Sequence, residues 1–139
     1  MALCITLGEL IHQLASKYKD RPAITMAASG ETLSYQEFDT LINRIGHGLL
    51  KLSKLKSTYV GIMHENDLYY LALTYALKKI NKIEVSINRA FKGRSLSRMI
   101  NLTECDIMMT STSHFGVLDQ IKSDLPHLRM LIVTSGVEE

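Results

Sequence analysis

Two periods of apolar spacing alternate along this chain, and the switches between them mark out its elements. Leu7, Leu10, Ile11 and Leu14 recur at helical spacing behind Thr6-Leu7-Gly8-Glu9, which has the T-x-x-E form of a capping box. A first helix is therefore expected to about residue 17, and Asp20-Arg21-Pro22 breaks it. Residues 23–26 read as a strand, Ser29-Gly30 as a turn, and residues 32–34 as a second short strand. Ser34-Tyr35-Gln36-Glu37 is a second capping box, opening a long helix with Phe38, Leu41, Ile42, Ile45, Leu49 and Leu50 on one face. Residues 58–63 are apolar and β-branched, as a buried parallel strand requires. Asn66 or Asp67 is then expected to cap a helix running to about residue 80. Strands over 83–87, 106–110 and 128–133 follow, separated by a helix capped by Ser95 that ends near residue 102 and a helix over 114–121.

After the opening β-hairpin, helices and strands alternate to the last strand. That order predicts an α/β fold: a mostly parallel sheet with helices on both faces, joined by right-handed crossovers. No internal repeat or linker interrupts residues 1–139, so a single domain is expected.

Composition narrows the functional classes. Apolar residues make up 46% of the chain and charged residues 22%, a globular balance, and the net charge of +2 does not by itself call for nucleic acid. The one lysine cluster, Lys51, Lys54 and Lys56, reads as a solvated helix end. Cys4 and Cys105 are too few and too distant for a metal frame and read as thiols in a reducing compartment, Cys105 buried beside a strand. The N-terminal residues lack the basic and apolar regions of a signal peptide. The longest apolar stretch, residues 68–77, falls short of the roughly twenty residues a bilayer span needs. The expected location is the cytoplasm.

No glycine loop for a dinucleotide or a triphosphate is present, and no catalytic or metal-binding set emerges. His64-Glu65-Asn66 falls at a strand's C-terminal end, the ligand side of an open α/β sheet, but reads first as a helix-entry turn. His12, His47, His114 and His127 have no partner at ligand spacing and read as surface or satisfied histidines. Thr110, Ser111 and Ser113 read as a cluster capping the next helix. The loop from Asn88 to Arg94 also leaves a strand's C-terminal end. Its Asn88, Arg89, Lys92 and Arg94 are the candidate ligand-binding residues, for a phosphate-bearing ligand or an acidic partner.

Several segments, in order and at matching spacing over residues 6–133, resemble the N-terminal part of the adenylate-forming superfamily of acyl-CoA synthetases and acid–CoA ligases. Leu33-Ser34-Tyr35-Gln36-Glu37-Phe38 is similar to L-[ST]-Y-x-E-L, and Asn43-Arg44-Ile45-Gly46-His47-Gly48-Leu49 to N-x-[LIV]-A-x-x-L. Val60-Gly61-Ile62-Met63-His64-Glu65-Asn66 resembles V-A-I-M-L-x-N. The run from Ala76 to Asn88 resembles A-x-x-K-x-G-A-x-x-V-P-I-N, and Phe91-Lys92-Gly93-Arg94-Ser95-Leu96 resembles Y-x-G-x-E-L. Departures stand beside these matches: Asn81 replaces the glycine, Lys82 the alanine and Ser86 the proline. Asn is the non-glycine residue that best tolerates positive φ, so the turn at Asn81 is expected to survive.

The resemblance implies a two-step reaction. A carboxylate attacks ATP to form an acyl-adenylate, with Mg, and a thiol such as CoA then displaces AMP. It also implies that these 139 residues lack the family's Ser/Thr/Gly-rich phosphate loop and catalytic lysine, since Thr134-Ser135-Gly136 starts like that loop and does not continue it. The expected role is the N-terminal part of such an enzyme, inactive alone, with the remainder of the enzyme as partner. The alternative is a free-standing, non-catalytic interaction module with the same fold. The apolar run Leu68, Tyr69, Tyr70, Leu71 and Leu73 is hydrophobic all round and must be covered on more than one side, by this sheet or by a partner, and a symmetric homodimer is expected.

Overall fold

A computed structural model describes residues 5–52 and 58–134. Lys54 and Lys56 of the expected lysine cluster, Cys4, and Ser135-Gly136 lie outside the described residues.

The chain clusters into two compact units, one comprising Met1–Leu52 with Asp67–Asn81 and the other Ser53–Asn66 with Lys82–Glu139. In the first, helix α1 spans Leu7–Tyr18, strands β1 and β2 span Pro22–Thr25 and Thr32–Ser34, helix α2 spans Tyr35–Lys51 and helix α3 spans Leu68–Lys79. Both capping boxes form as expected: Thr6 and Glu9 cap each other reciprocally at α1, and Ser34 and Glu37 do so at α2. β1 and β2 pair antiparallel, Ile24 opposite Leu33. Phe38 and Ile42 of α2 pack with Ala72 and Ala76 of α3, and Ile11, Leu41, Ile45 and Tyr75 pack against them. Phe38 meets Tyr75 edge to face at 5.6 Å. Leu50 departs from the expected apolar face: it is 58% exposed, off the buried stripe of Phe38, Ile42, Gly46 and Leu49. None of the residues from Leu68 to Leu77 is exposed, so the apolar run of α3 is covered at least in part along its length.

A polar network ties the three helices of this unit. Asp39 is buried, and its carboxylate accepts from Lys79 Nζ and from Asn43 Nδ2 at 3.1 Å, with His12 Nδ1 at 3.4 Å. Lys79 Nζ also donates to Asn43 Oδ1 at 2.8 Å. Burial opposes charge on Asp39, but the hydrogen bond and charge of Lys79, with His12 and Asn43, hold its carboxyl below the ordinary range. The lysine and asparagine that stood at fixed places in two separate sequence segments thus meet on one buried acid.

α3 ends on Asp67-capped geometry at one side, the Asp67 side chain accepting from Tyr70 N at 2.8 Å, and on Asn81 at the other. Asn81 has φ 58, the left-handed conformation in which helices commonly stop. The turn therefore survives the loss of glycine. We expect Asn81→Gly to leave stability unchanged within about 0.5 kcal/mol and Asn81→Ala to lower it by roughly 1 kcal/mol, read by urea denaturation. Equal midpoints for the two variants would show that the backbone conformation carries no cost here.

In the second unit, strands β3 (Tyr59–Met63), β4 (Ile83–Ser86), β5 (Ile107–Ser111) and β6 (Met130–Thr134) form one parallel sheet in the order β4-β3-β5-β6. Helices α4 (Gly93–Leu102) and α5 (Thr112–Asp119) belong to the same unit. All five residues of β5 are buried and four of the five in β3, as continuous apolar runs in a parallel sheet predict. Leu96 and Ile100 of α4, Met63, Met108, Leu118, Ile121 and Leu125 form its core. Cys105 is buried just before β5, and burial pushes its thiol pKa up.

Three elements start two or more residues from their expected positions. α4 starts at Gly93, which puts Ser95 inside the first turn rather than at the cap, and its hydroxyl donates back to the Lys92 carbonyl at 2.8 Å. α5 begins two residues early, behind Ser111, whose side chain makes no capping bond. β6 begins at Met130, because the Arg129 and Met130 amides both donate to the Asp106 carbonyl at the strand's entry.

Candidate functional site

The sheet order places β3 between β4 and β5, so successive connections leave β3 toward opposite sides and a switch point falls between β3 and β5. In open parallel sheets the crevice outside the strand ends at such a point is where ligands collect. The residues there come from three strand ends: His64 and Glu65 after β3, Thr110, Ser111, Ser113 and His114 at the end of β5 and the start of α5, and Thr134 at the end of β6.

Register assembles them. Met63 pairs with Thr110, and Ser111 with Thr134. Thr110 is fully buried and its hydroxyl donates to the Met63 carbonyl at 2.8 Å, binding the ends of β3 and β5 by a side chain as well as by the ladder. The His64 ring is 1% exposed. Its Nε2 shares a 2.7 Å hydrogen bond with Thr134 Oγ1, and its Nδ1 lies 3.2 Å from the Glu65 carbonyl and 3.5 Å from Glu65 Oε2.

Glu65 is the hub. Burial opposes its charge, but hydrogen bonds from the Ser111 hydroxyl, its own backbone amide and the Ser113 hydroxyl, with the nearby His114, bring its pKa from 4.5 down to about 2. It is a carboxylate at neutral pH and can only accept. His114 Nδ1, 3.0 Å from Glu65 Oε1, must therefore carry its proton on that nitrogen. The carboxylate thus sets the ring's orientation and tautomer, and Nε2 is left with no partner among the described residues. A carboxylate on one imidazole nitrogen with the other open is an arrangement that holds a base or a ligand atom in place.

The expected capping cluster Thr110, Ser111 and Ser113 is real as a cluster, but its hydroxyls serve the Met63 carbonyl and the Glu65 carboxylate rather than the amides of α5. His64 and His114, read from sequence as unremarkable, join it. The only local signals were the position of His64-Glu65 at a strand end and the hydroxyl-rich run after β5. His12 is satisfied by Asp39, and His47 and His127 are exposed and lie outside the cluster.

The loop candidates follow β4. Asn88 is used locally, its Oδ1 accepting from Ala90 N at 2.9 Å to shape the turn. Arg89, Lys92 and Arg94 are exposed, while Phe91 between them packs against the core of this unit.

Residues 11–138 match the family described as AMP-binding enzyme. Among curated proteins the chain is 26% identical over 126 residues to a protein of Bacillus subtilis (strain 168) provisionally named acyl-CoA synthetase YngI, covering 89% of this chain and 23% of that protein. It is 27% identical over 140 residues to the 2,3-dihydroxybenzoate-AMP ligase of the same organism, covering 96% of this chain and 25% of the ligase. Among solved structures, the long-chain-fatty-acid-CoA ligase FadD1 of Archaeoglobus fulgidus superposes with TM-score 0.87 at 20% identity, over 94% of this chain and 27% of that one. The chain thus spans about a quarter of the length of these proteins.

Proposed function

The chain belongs to the AMP-binding enzyme family, and from that membership we propose that it is the N-terminal part of an acyl-CoA-synthetase-like ligase. The complete enzyme would use ATP and Mg to convert a carboxylic acid to an acyl-adenylate and pass the acyl group to a thiol such as CoA. The observation that carries this reading is the family match over residues 11–138, supported by a fold that superposes over 94% of this chain on 27% of a solved CoA ligase. Within the complete enzyme, the cluster at the ends of β3, β5 and β6 is a wall of the ligand crevice, with the Glu65-oriented His114 ring presenting Nε2.

The residues present do not fit a magnesium triphosphate. The Glu65 carboxylate is taken up by hydroxyls and imidazoles, and these 139 residues hold no Ser/Thr/Gly-rich loop with a lysine. The chemistry of such sites is positioning and neutralisation of phosphate charge, and those groups belong to the remainder of the enzyme. The chain alone is therefore inactive. No described helix is long and apolar enough to cross a membrane. We expect the purified 139-residue chain to give ATP–pyrophosphate exchange at background with aliphatic and aromatic acids alike. Exchange above background would refute the reading that the phosphate-handling groups lie elsewhere. A stand-alone module would instead self-associate, and light scattering at micromolar concentration separates a dimer from a monomer.

A further inference from the structure

We propose that the outer face of α4 docks the protein peripherally on an anionic lipid surface, a role independent of the ligase chemistry. The helix buries Leu96, Ser97 and Ile100 against its own unit and turns Arg94, Arg98, Met99 and Leu102 to solvent. Arg94 and Arg98 stand one turn apart on the same face. Lys92, immediately before the helix, and Arg89, in the loop leading to it, are also exposed. The helix contains no acidic residue. At the place where the matching segment Y-x-G-x-E-L carries glutamate, this chain has Ser95, so the arginines have lost the one carboxylate that position would supply. None of these four cations makes an ion pair among the described residues. In the groove beside α4, Asp124 is the one carboxylate among the lining residues, against Arg94 and Arg98, and Glu104 is exposed just beyond the helix's end.

The apolar residues decide the class of partner. Leu102 is 68% exposed and Met99 37%, so aliphatic side chains stand beside the arginines on the solvent side of the helix. A polyanion such as nucleic acid or an acidic peptide uses the arginines and leaves Leu102 and Met99 in water. A bilayer interface uses both, since cations meet the headgroup phosphates while aliphatic side chains enter the acyl boundary. Arginine is suited to this, as its planar fork grips phosphate oxygens in pairs.

The test is co-sedimentation of the 139-residue chain with vesicles, phosphatidylglycerol in phosphatidylcholine against phosphatidylcholine alone. We expect binding to the anionic vesicles only, weakening steeply between roughly 50 and 300 mM salt as screening of surface cations requires. Arg94→Gln with Arg98→Gln is expected to reduce the partition coefficient about thirtyfold, from about fivefold per cation. Leu102→Ser is expected to reduce it about tenfold, with its circular dichroism unchanged because the residue is exposed. If the double variant failed to fold, Arg89→Gln with Lys92→Gln gives the same reading from outside the helix. Wild-type binding that is absent, or equal on neutral vesicles, overturns the proposal. So does full binding by Leu102→Ser, or displacement from vesicles by 10 mM inorganic phosphate, taking ~10 mM as ample to fill a simple anion site; either outcome leaves an anion site or a polyanion partner.

Discussion

Gly61→Ala is expected to destabilise the protein by roughly 2–3 kcal/mol, though alanine is the better strand residue of the two and the matching family segment V-A-I-M carries alanine there. Gly61 sits in β3 directly opposite Met108 of β5. A Cβ at position 61 would lie 2.0 Å from Met108 Sδ and 3.2 Å from its Cε. Met108 is fully buried in the core of its unit, so its thioether cannot swing into solvent to make room. Methionine fills irregular gaps well, and here it fills the space that an alanine methyl would take. Met108→Val removes the sulfur and terminal methyl, and alone it is expected to cost about 1–2 kcal/mol as a cavity. In Gly61→Ala/Met108→Val the methyl occupies part of that cavity. The double variant should be more stable than the sum of the two singles by at least about 1 kcal/mol, measured by urea denaturation as a coupling energy. Additive losses would show that the Gly61–Met108 contact is not where the strain arises.

That pair also shows what a single sequence does and does not disclose. Elements were legible where a local pattern carries them: both capping boxes, the apolar stripe of α2, the unbroken apolar runs of β3 and β5, and the positive-φ turn at Asn81 all follow from residues within a few positions of one another. Boundaries failed where a side chain had a choice of partner. Ser95 has the residue type of a cap, yet it lies inside the first turn and its hydroxyl donates to Lys92. The polar clusters were hidden for a different reason. Asn43 and Lys79 stood out only as matched letters, and their common purpose, the buried Asp39, needs two helices side by side. His64 meets Thr134 across 70 positions, and Glu65 meets His114 across 49, through strand register that periodicity does not encode. The resemblance to a family supplied the fold, and the strand ends supplied the site.

Removing the charge of that site has the second large effect. Glu65→Gln keeps the side chain's length and one carbonyl acceptor, but it cannot hold the negative charge that Ser111, Ser113 and His114 surround. Because the folded pKa of about 2 lies below the ordinary glutamate value of 4.5, ionised Glu65 favours the folded state. That contribution is complete above about pH 4.5, declines as pH falls toward 2, and is absent below it. The side chain is 31% exposed, close to the limit at which solvent weakens such interactions. We therefore expect wild type to exceed Glu65→Gln by roughly 2 kcal/mol at pH 7, below the ~3 kcal/mol that the full shift would give. The gap should narrow steadily below about pH 4 and close near about pH 2, where both proteins come to carry a neutral side chain. Urea midpoints across this range measure it directly. The same variant frees the His114 ring to rotate, so the Nδ1–H signal in the imidazole nitrogen spectrum at pH 8 should lose its hydrogen-bonded shift. A gap that stays constant from pH 7 to pH 2.5 would assign the loss to shape rather than charge, and His114 would then owe its orientation to its place on α5 rather than to the carboxylate.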